Sequence, residues 1–266
     1  MPSGSWITVR GIMVIAVLLA GTATPDCSQG EVTWLPAQTL FPRMVADLHE
    51  PRFGLTWAPE PDQVDVSLGS PFPIVSFPVA GQPFLAVLET SVFMRLGRDG
   101  SFFPLQTVDG LFGVGIETSY RSFAGRLRLL HESAHKADGD STVTYPGITY
   151  SKEFWQLDLG LGGDRLFAYA RIGSAWHSVP EDPGIDLALG GAWRSPGERG
   201  RALVSIHLEA DSARSWKLTK SVLGGWETGT RRRFLLGIRL FDGHSPQGQY
   251  WTRSEGYVGI EIQFTL

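Results

Sequence analysis

At the C-terminal end of the chain Val258, Ile260, Ile262, Phe264 and Leu266 fall on one face, and Gly259, Glu261, Gln263 and Thr265 on the other. A strand patterned this way separates two environments, either a core from water or lipid from a polar lumen. The same period of two recurs along most of the chain, whereas helical periodicity is almost absent after residue 23. Many of the alternating runs approach the roughly 9–11 residues with which a tilted strand crosses a bilayer. The pattern predicts twelve strands, over 52–58, 71–79, 84–96, 109–121, 123–134, 149–161, 165–174, 184–193, 202–210, 217–227, 232–241 and 256–266.

The connections support a particular architecture. Tight joins at Ser122, 162–164 and 228–231 alternate with long ones over 97–108, 135–148, 175–183 and 242–255. Short periplasmic turns and longer extracellular loops are the habit of outer-membrane barrels. The expected fold is therefore all-β, a transmembrane antiparallel up-and-down β-barrel of about 12 strands in the bacterial outer membrane. A soluble sandwich is the competing reading of the same alternation.

The remaining sequence refines this picture. Arg10 precedes an apolar stretch over 12–20, followed by the small residues Gly21, Thr22 and Ala23, which reads as a secretory signal over 1–23. The stretch is about half the roughly 20 apolar residues a membrane helix needs. A proline-containing lead-in over 24–50 is expected on the periplasmic side, and the barrel over 51–266. Cys27 is the single cysteine, so no intrachain disulfide forms. The formal charge of −4, with scattered basic residues, excludes a nucleic-acid stripe. The 32 Gly and 9 Trp fit small residues in a crowded lumen and aromatic girdles at the membrane interfaces. Arg126, Arg128, Lys152, Asp158, Arg165, Arg171, His207, Glu209, Arg233 and Arg239 lie opposite apolar faces and are expected to point inward. That many long charged side chains fill a narrow lumen, as a structural network rather than an ion path.

One hairpin breaks the rule of parity. If Arg126 and Arg128 face the lumen, His131 and Ser133 share the outer face with Leu127 and Leu129, and Ser151 and Glu153 share it with Trp155 and Leu157. A hairpin symmetric about 139–144 sets His131 opposite Glu153, within reach of a carboxylate–imidazole bond. Ser133 as nucleophile, His131 as general base and Glu153 as orienting acid would form a catalytic triad at the outer-leaflet interface. The plainer reading is an interfacial polar cluster near lipid headgroups. His135 continues the outer face, but His-x-x-x-His on a strand spans too far for a shared metal, and no metal or cofactor is expected. Asp242 to Gly248, with His244 beside Ser245, reads as a structured loop at the mouth.

The residues His131-x-Ser133 followed by Glu153 resemble the outer-membrane lipid A deacylases, whose Ser–His–Glu triad lies on the barrel exterior. They also resemble outer-membrane phospholipase A, with its Asn third member. A wider resemblance covers most of the mature chain. The segments Leu40-Phe-Pro, Ala46-Asp-Leu-His-Glu-Pro-Arg52, His131-Glu-Ser-Ala-His135, Thr149-Tyr-Ser-Lys-Glu153 and Asp242-Gly-His-Ser-Pro-Gln-Gly-Gln249 are similar to an uncharacterised bacterial family, domain of unknown function 1207. That resemblance implies an outer-membrane barrel and assigns no activity. Two functions follow as expectations: a lipid acyl-ester hydrolase acting on lipid A or phospholipid, or a non-enzymatic barrel serving as narrow pore or binding protein. The expected partners are outer-membrane lipids and, during biogenesis, the barrel-assembly machinery, whose usual terminal aromatic is here replaced by Leu266, with Phe264 two residues earlier.

Overall fold

The computed structural model describes residues 31–98, 101–139, 146–181, 184–197, 199–229 and 232–265. The expected signal segment, Cys27 and Leu266 lie outside the described residues. The strands are β1 (Thr33–Trp34), β2 (Phe53–Ala58), β3 (Gln63–Val79), β4 (Gln82–Gly97), β5 (Leu105–Tyr120), β6 (Phe123–Lys136) and β7 (Tyr150–Gly162). They continue as β8 (Leu166–Val179), β9 (Ile185–Arg194), β10 (Gly200–Asp211), β11 (Thr219–Thr228), β12 (Arg233–His244) and β13 (Ser254–Thr265).

Strands β2 to β13 each pair antiparallel with their sequence neighbours, and β2 pairs with β13, so twelve strands close into an up-and-down barrel. Closure removes the sheet edges that would otherwise leave unpaired backbone groups. The turns at 80–81, 121–122, 163–165, 195–199 and 229–232 are short, and the 137–149 connection at the opposite end is the longest. At one of the two tightest, Ala80 and Gly81 both take positive φ, the geometry of a two-residue hairpin.

Differences from the expected strands are local. The second strand starts at Gln63, not at residue 71, and crosses Pro71 and Pro73 before a bulge at Ile74. The long connection expected over 175–183 is mostly strand, because β8 continues to Val179 past a register shift opposite Glu153. Arg165, expected to face inward, lies exposed in the 163–165 turn.

β1 and β2 occupy the same edge of β3, since β4 pairs along the whole of the other edge. Between them the chain leaves the wall, and the lead-in expected over 24–50 continues into the barrel. Phe41, Met44, Val45, Ala46, Asp47, Glu50 and Arg52 are all buried in the lumen. The surrounding wall is charged in register: Glu117 on β5 opposes Arg126 on β6, which opposes Asp158 on β7, which opposes Arg171 on β8. Arg126, Asp158 and Arg171 each find an opposite charge, which offsets the cost of burying them. Asp158 accepts from Arg126 at 3.0 Å and from Arg171 at 2.7 Å, and Glu50 of the inserted segment accepts twice from Arg126 at 2.9 Å. Asp47 pairs with Arg171 at 2.9 Å. The backbone N–H groups of Leu40 and Phe41 donate to Glu117 at 2.7 and 3.0 Å.

On the facing wall the segment's carbonyls are bound instead. Ser221 and Arg239 each donate to the Ala46 carbonyl at 2.8 Å, and Gln263 donates to that of Val45 at 3.2 Å. Arg239 is itself paired with Glu261. Phe41 and Met44 pack on Phe167 and Tyr169, and Val45 and Ala46 on Leu203, Leu223 and Leu235.

The far mouth is covered by the 245–253 connection. Gln247 accepts from Thr107 at 2.8 Å, the Gly248 N–H donates to Asp109 at 2.7 Å, and Gln249 donates to the carbonyls of Ala134 and Ile148. His49 on the inserted segment contacts the Pro246 carbonyl at 2.9 Å, so the two insertions meet inside the barrel.

Outside, the parity reverses. Leu88, Val114, Leu129, Leu159, Ile172, Leu187, Ile206, Ile238 and Ile260 are all exposed, forming an apolar belt around the wall. Exposed apolar surface on this scale is compatible with an outer-membrane barrel.

Glu50→Gln removes the charge that faces Arg126 and Arg128 in a buried network, and should destabilise the barrel by about 3–5 kcal/mol in denaturant unfolding from detergent. Burial alone would raise the carboxyls of Asp47 and Glu50, but neighbouring cations outweigh it. Arg171, then His207 and His49, hold Asp47 well below the usual range, and Arg126 with Arg128 holds Glu50 below it. Because the folded values lie beneath the unfolded ones, the stabilisation is fully present above the unfolded value of 4.5 for Glu50 and is lost as pH falls through the folded values. Proteolytic cleavage within 40–52 should accordingly be absent at neutral pH and emerge only in strong acid. Cleavage that begins near neutrality would contradict the pairing.

Candidate functional site

The sequence places alternate residues of β6 and β7 on opposite faces, and the register makes His131 and Glu153 direct partners. His131 Nδ1 lies 2.9 Å from Glu153 Oε1, and both side chains are a little over one quarter exposed on the outer wall. The imidazole ring packs against Phe112 of β5 with centroids 4.9 Å apart, so an aromatic side chain limits its rotation. With Nδ1 committed to the carboxylate, Nε2 is the ring atom left for another partner.

Ser133 and Ser151 are the next outward pair along the same two strands. Ser151 Oγ donates to Glu153 Oε1 at 3.4 Å. Ser133 makes no hydrogen bond to His131 among the described residues. Two of the three residues expected to form a triad are thus in direct contact, and the third stands on the same face without a hydrogen bond to the base. His135 lies further along that face, exposed.

A residue not anticipated from the sequence joins them. The bulge opposite Glu153 leaves Trp176 without a partner and pairs His177 directly with Glu153. His177 Nε2 is 3.8 Å from Glu153 Oε2, an oxygen otherwise without a hydrogen-bond partner. Glu153 therefore stands between two imidazoles on the outer wall. The signal for His177 lay in the alternation of Leu166 to Ser174, but the bulge breaks parity just before the histidine. Beside the cluster a shallow cleft opens at the rim, bordered by Ser151, Lys152, Ser178, Arg214 and Trp251.

Inside the barrel Asp47, His207 and Glu209 form a second polar group, with donor atoms within 4.8 Å of one another. His207 Nδ1 meets the Tyr169 hydroxyl at 2.8 Å, and its Nε2 meets Glu209 at 3.2 Å. The Arg171 guanidinium already supplies the positive charge at Asp47. The group is therefore continuous with the luminal ion pairs and needs no metal to balance it.

Comparison with protein-family models, with curated proteins and with solved structures finds nothing that matches the chain.

The parity of the site is directly measurable. In a Cys27→Ser background, Ser133→Cys should react with a small thiol reagent in the folded barrel, whereas Glu132→Cys, from a residue only 8% exposed, should react only after unfolding. Equal reactivity at the two positions would contradict the outward placement of Ser133.

Proposed function

We propose that the protein is an integral β-barrel of the bacterial outer membrane that hydrolyses lipid acyl esters at its outer wall. The observation that carries this reading is the His131–Glu153 contact of 2.9 Å, a base and its orienting acid on a face otherwise given to apolar side chains. Polar groups on a lipid-facing wall are costly at the midplane and less so towards the interface, so their concentration on one hairpin calls for a use. The exposed apolar belt supports the membrane setting, and the filled lumen argues against a pore.

In the proposed reaction, rotation of Ser133 brings its hydroxyl to His131 Nε2, a contact that commonly tightens only when substrate is bound. Ser133 Oγ attacks the acyl carbonyl carbon as His131 takes the hydroxyl proton, and Glu153 steadies the imidazolium. The alcohol of the lipid leaves with that proton. Water then attacks the acyl-serine with His131 again as base, and the free fatty acid departs. Substrates are outer-membrane lipids lying against the wall, lipid A or phospholipid.

A second reading, a non-enzymatic barrel whose His131, Glu153 and His177 hold lipid polar groups, is favoured by one observation: Ser133 makes no hydrogen bond to His131. The two are separated by fatty-acid release from lipid A and phospholipid in detergent micelles. Ser133→Ala and His131→Ala should each lower the rate by roughly a thousandfold or more, with Glu153→Gln also strongly impaired. A wild-type barrel that folds, by its heat-modifiable gel mobility, and releases no fatty acid would sink the hydrolase and leave the binding role.

A further inference from the structure

The chain carries a net charge of −4 and its basic residues are scattered along the sequence, yet the fold brings several arginines to one end of three neighbouring hairpins. The described residues of segments 163–165, 194–201 and 227–233 include six arginines, at 165, 194, 199, 201, 232 and 233, against the two acids Asp164 and Glu227. Six minus two is an excess of four positive charges, so the rest of the chain carries −8. All three segments lie at the short-turn end, on the adjoining strands β7 to β12.

Part of this charge is internally committed. Arg201 donates to Glu227 at 2.7 Å and to Asp164 at 3.1 Å, Arg194 donates to Glu227 at 3.2 Å, and Arg233 donates to Asp164 at 3.4 Å. Two carboxylates thereby hold three guanidinium groups in place. Arg165, Arg199 and Arg232 stand exposed around this network and make no ion pair with a described residue. Directly along the outer wall from them lie Trp193 and Trp226, exposed by 48% and 56%. The Trp226 indole lies against the backbone of Gly200, where an added Cβ would come within 2.6 Å of its Nε1.

We propose that this sector binds anionic phospholipid headgroups in the leaflet at the short-turn end. The chemistry is that of a phosphodiester: guanidinium groups pair with phosphate oxygens, and indoles sit at the headgroup level. The tryptophans decide between a lipid and a protein partner, because they join the arginines to the apolar belt rather than to the aqueous face of the turns. The inference rests on the membrane setting proposed above and is independent of ester hydrolysis.

The test is titration of the purified full-length barrel in a zwitterionic detergent with short-chain phosphatidylglycerol, phosphatidylcholine and inorganic phosphate, in low and high salt. Phosphatidylglycerol should bind more tightly than phosphatidylcholine, and the preference should shrink as salt screens it. The triple variant Arg165→Gln, Arg199→Gln, Arg232→Gln removes charges that hold no ion pair, so it should fold normally and lose the preference by roughly tenfold or more. Trp226→Ala should weaken phosphatidylglycerol while leaving any binding of inorganic phosphate unchanged. Equal affinity for the two lipids, an unaltered preference in the triple variant, or binding of inorganic phosphate as tight as that of the lipid would each overturn the proposal. Loss of hydrolysis with the lipid preference intact would overturn the hydrolase reading alone.

Discussion

The structure depends on neutralising charge inside a closed wall. Arg126, Arg128, Arg171 and Arg239 point into a lumen where an unpaired guanidinium would be prohibitively costly. The wall meets part of this need itself, through Asp158 and Glu261. The rest comes from outside the barrel strands, as the inserted segment delivers Asp47 to Arg171 and Glu50 to Arg126 and Arg128. The segment therefore acts as a structural counter-ion as well as a space-filler. Its bare carbonyls at Val45 and Ala46 are satisfied in turn by Arg239, Ser221 and Gln263, so wall and insert complete each other's bonding.

The exterior obeys the opposite requirement, and that is why a few polar residues there carry information. On β6 the outward series runs through Leu127 and Leu129 and then becomes His131, Ser133 and His135. On β7 it runs from Leu161 through Trp155 to Glu153 and Ser151. The change occurs on adjoining strands, and the register turns it into a bonded pair.

Much of this was legible in the sequence because a period of two carries both the strand and its orientation. The strands, the closure into a barrel, the inward Arg126, Arg128, Arg171 and Arg239 and the facing of His131 and Glu153 follow from parity and one symmetric hairpin, whereas Arg165 was misplaced because it sits in a turn. What parity could not reach is irregular backbone. Residues 40–52 have no period, and their contacts are with residues far along the chain, such as Phe41 with Glu117 and Ala46 with Arg239. Local pattern holds no record of such pairings. The bulge in β8 hid His177 for a related reason, since one extra residue inverts the odd-even reading beyond it. Whether Ser133 meets His131 depends on a rotamer, which no alternation encodes.

The interruption between β1 and β2 has a further consequence. Gly69 donates its N–H to Arg52 at the end of β2, so the residues two and four further along β3 would direct their N–H groups to the same side, where neither β1 nor β2 is present. Those residues are Pro71 and Pro73, which have no N–H to offer. The opening through which the chain leaves the wall is thus chemically mute. It leaves no donor at these two positions stranded without a partner, and it gives a passing strand few N–H groups to zip onto.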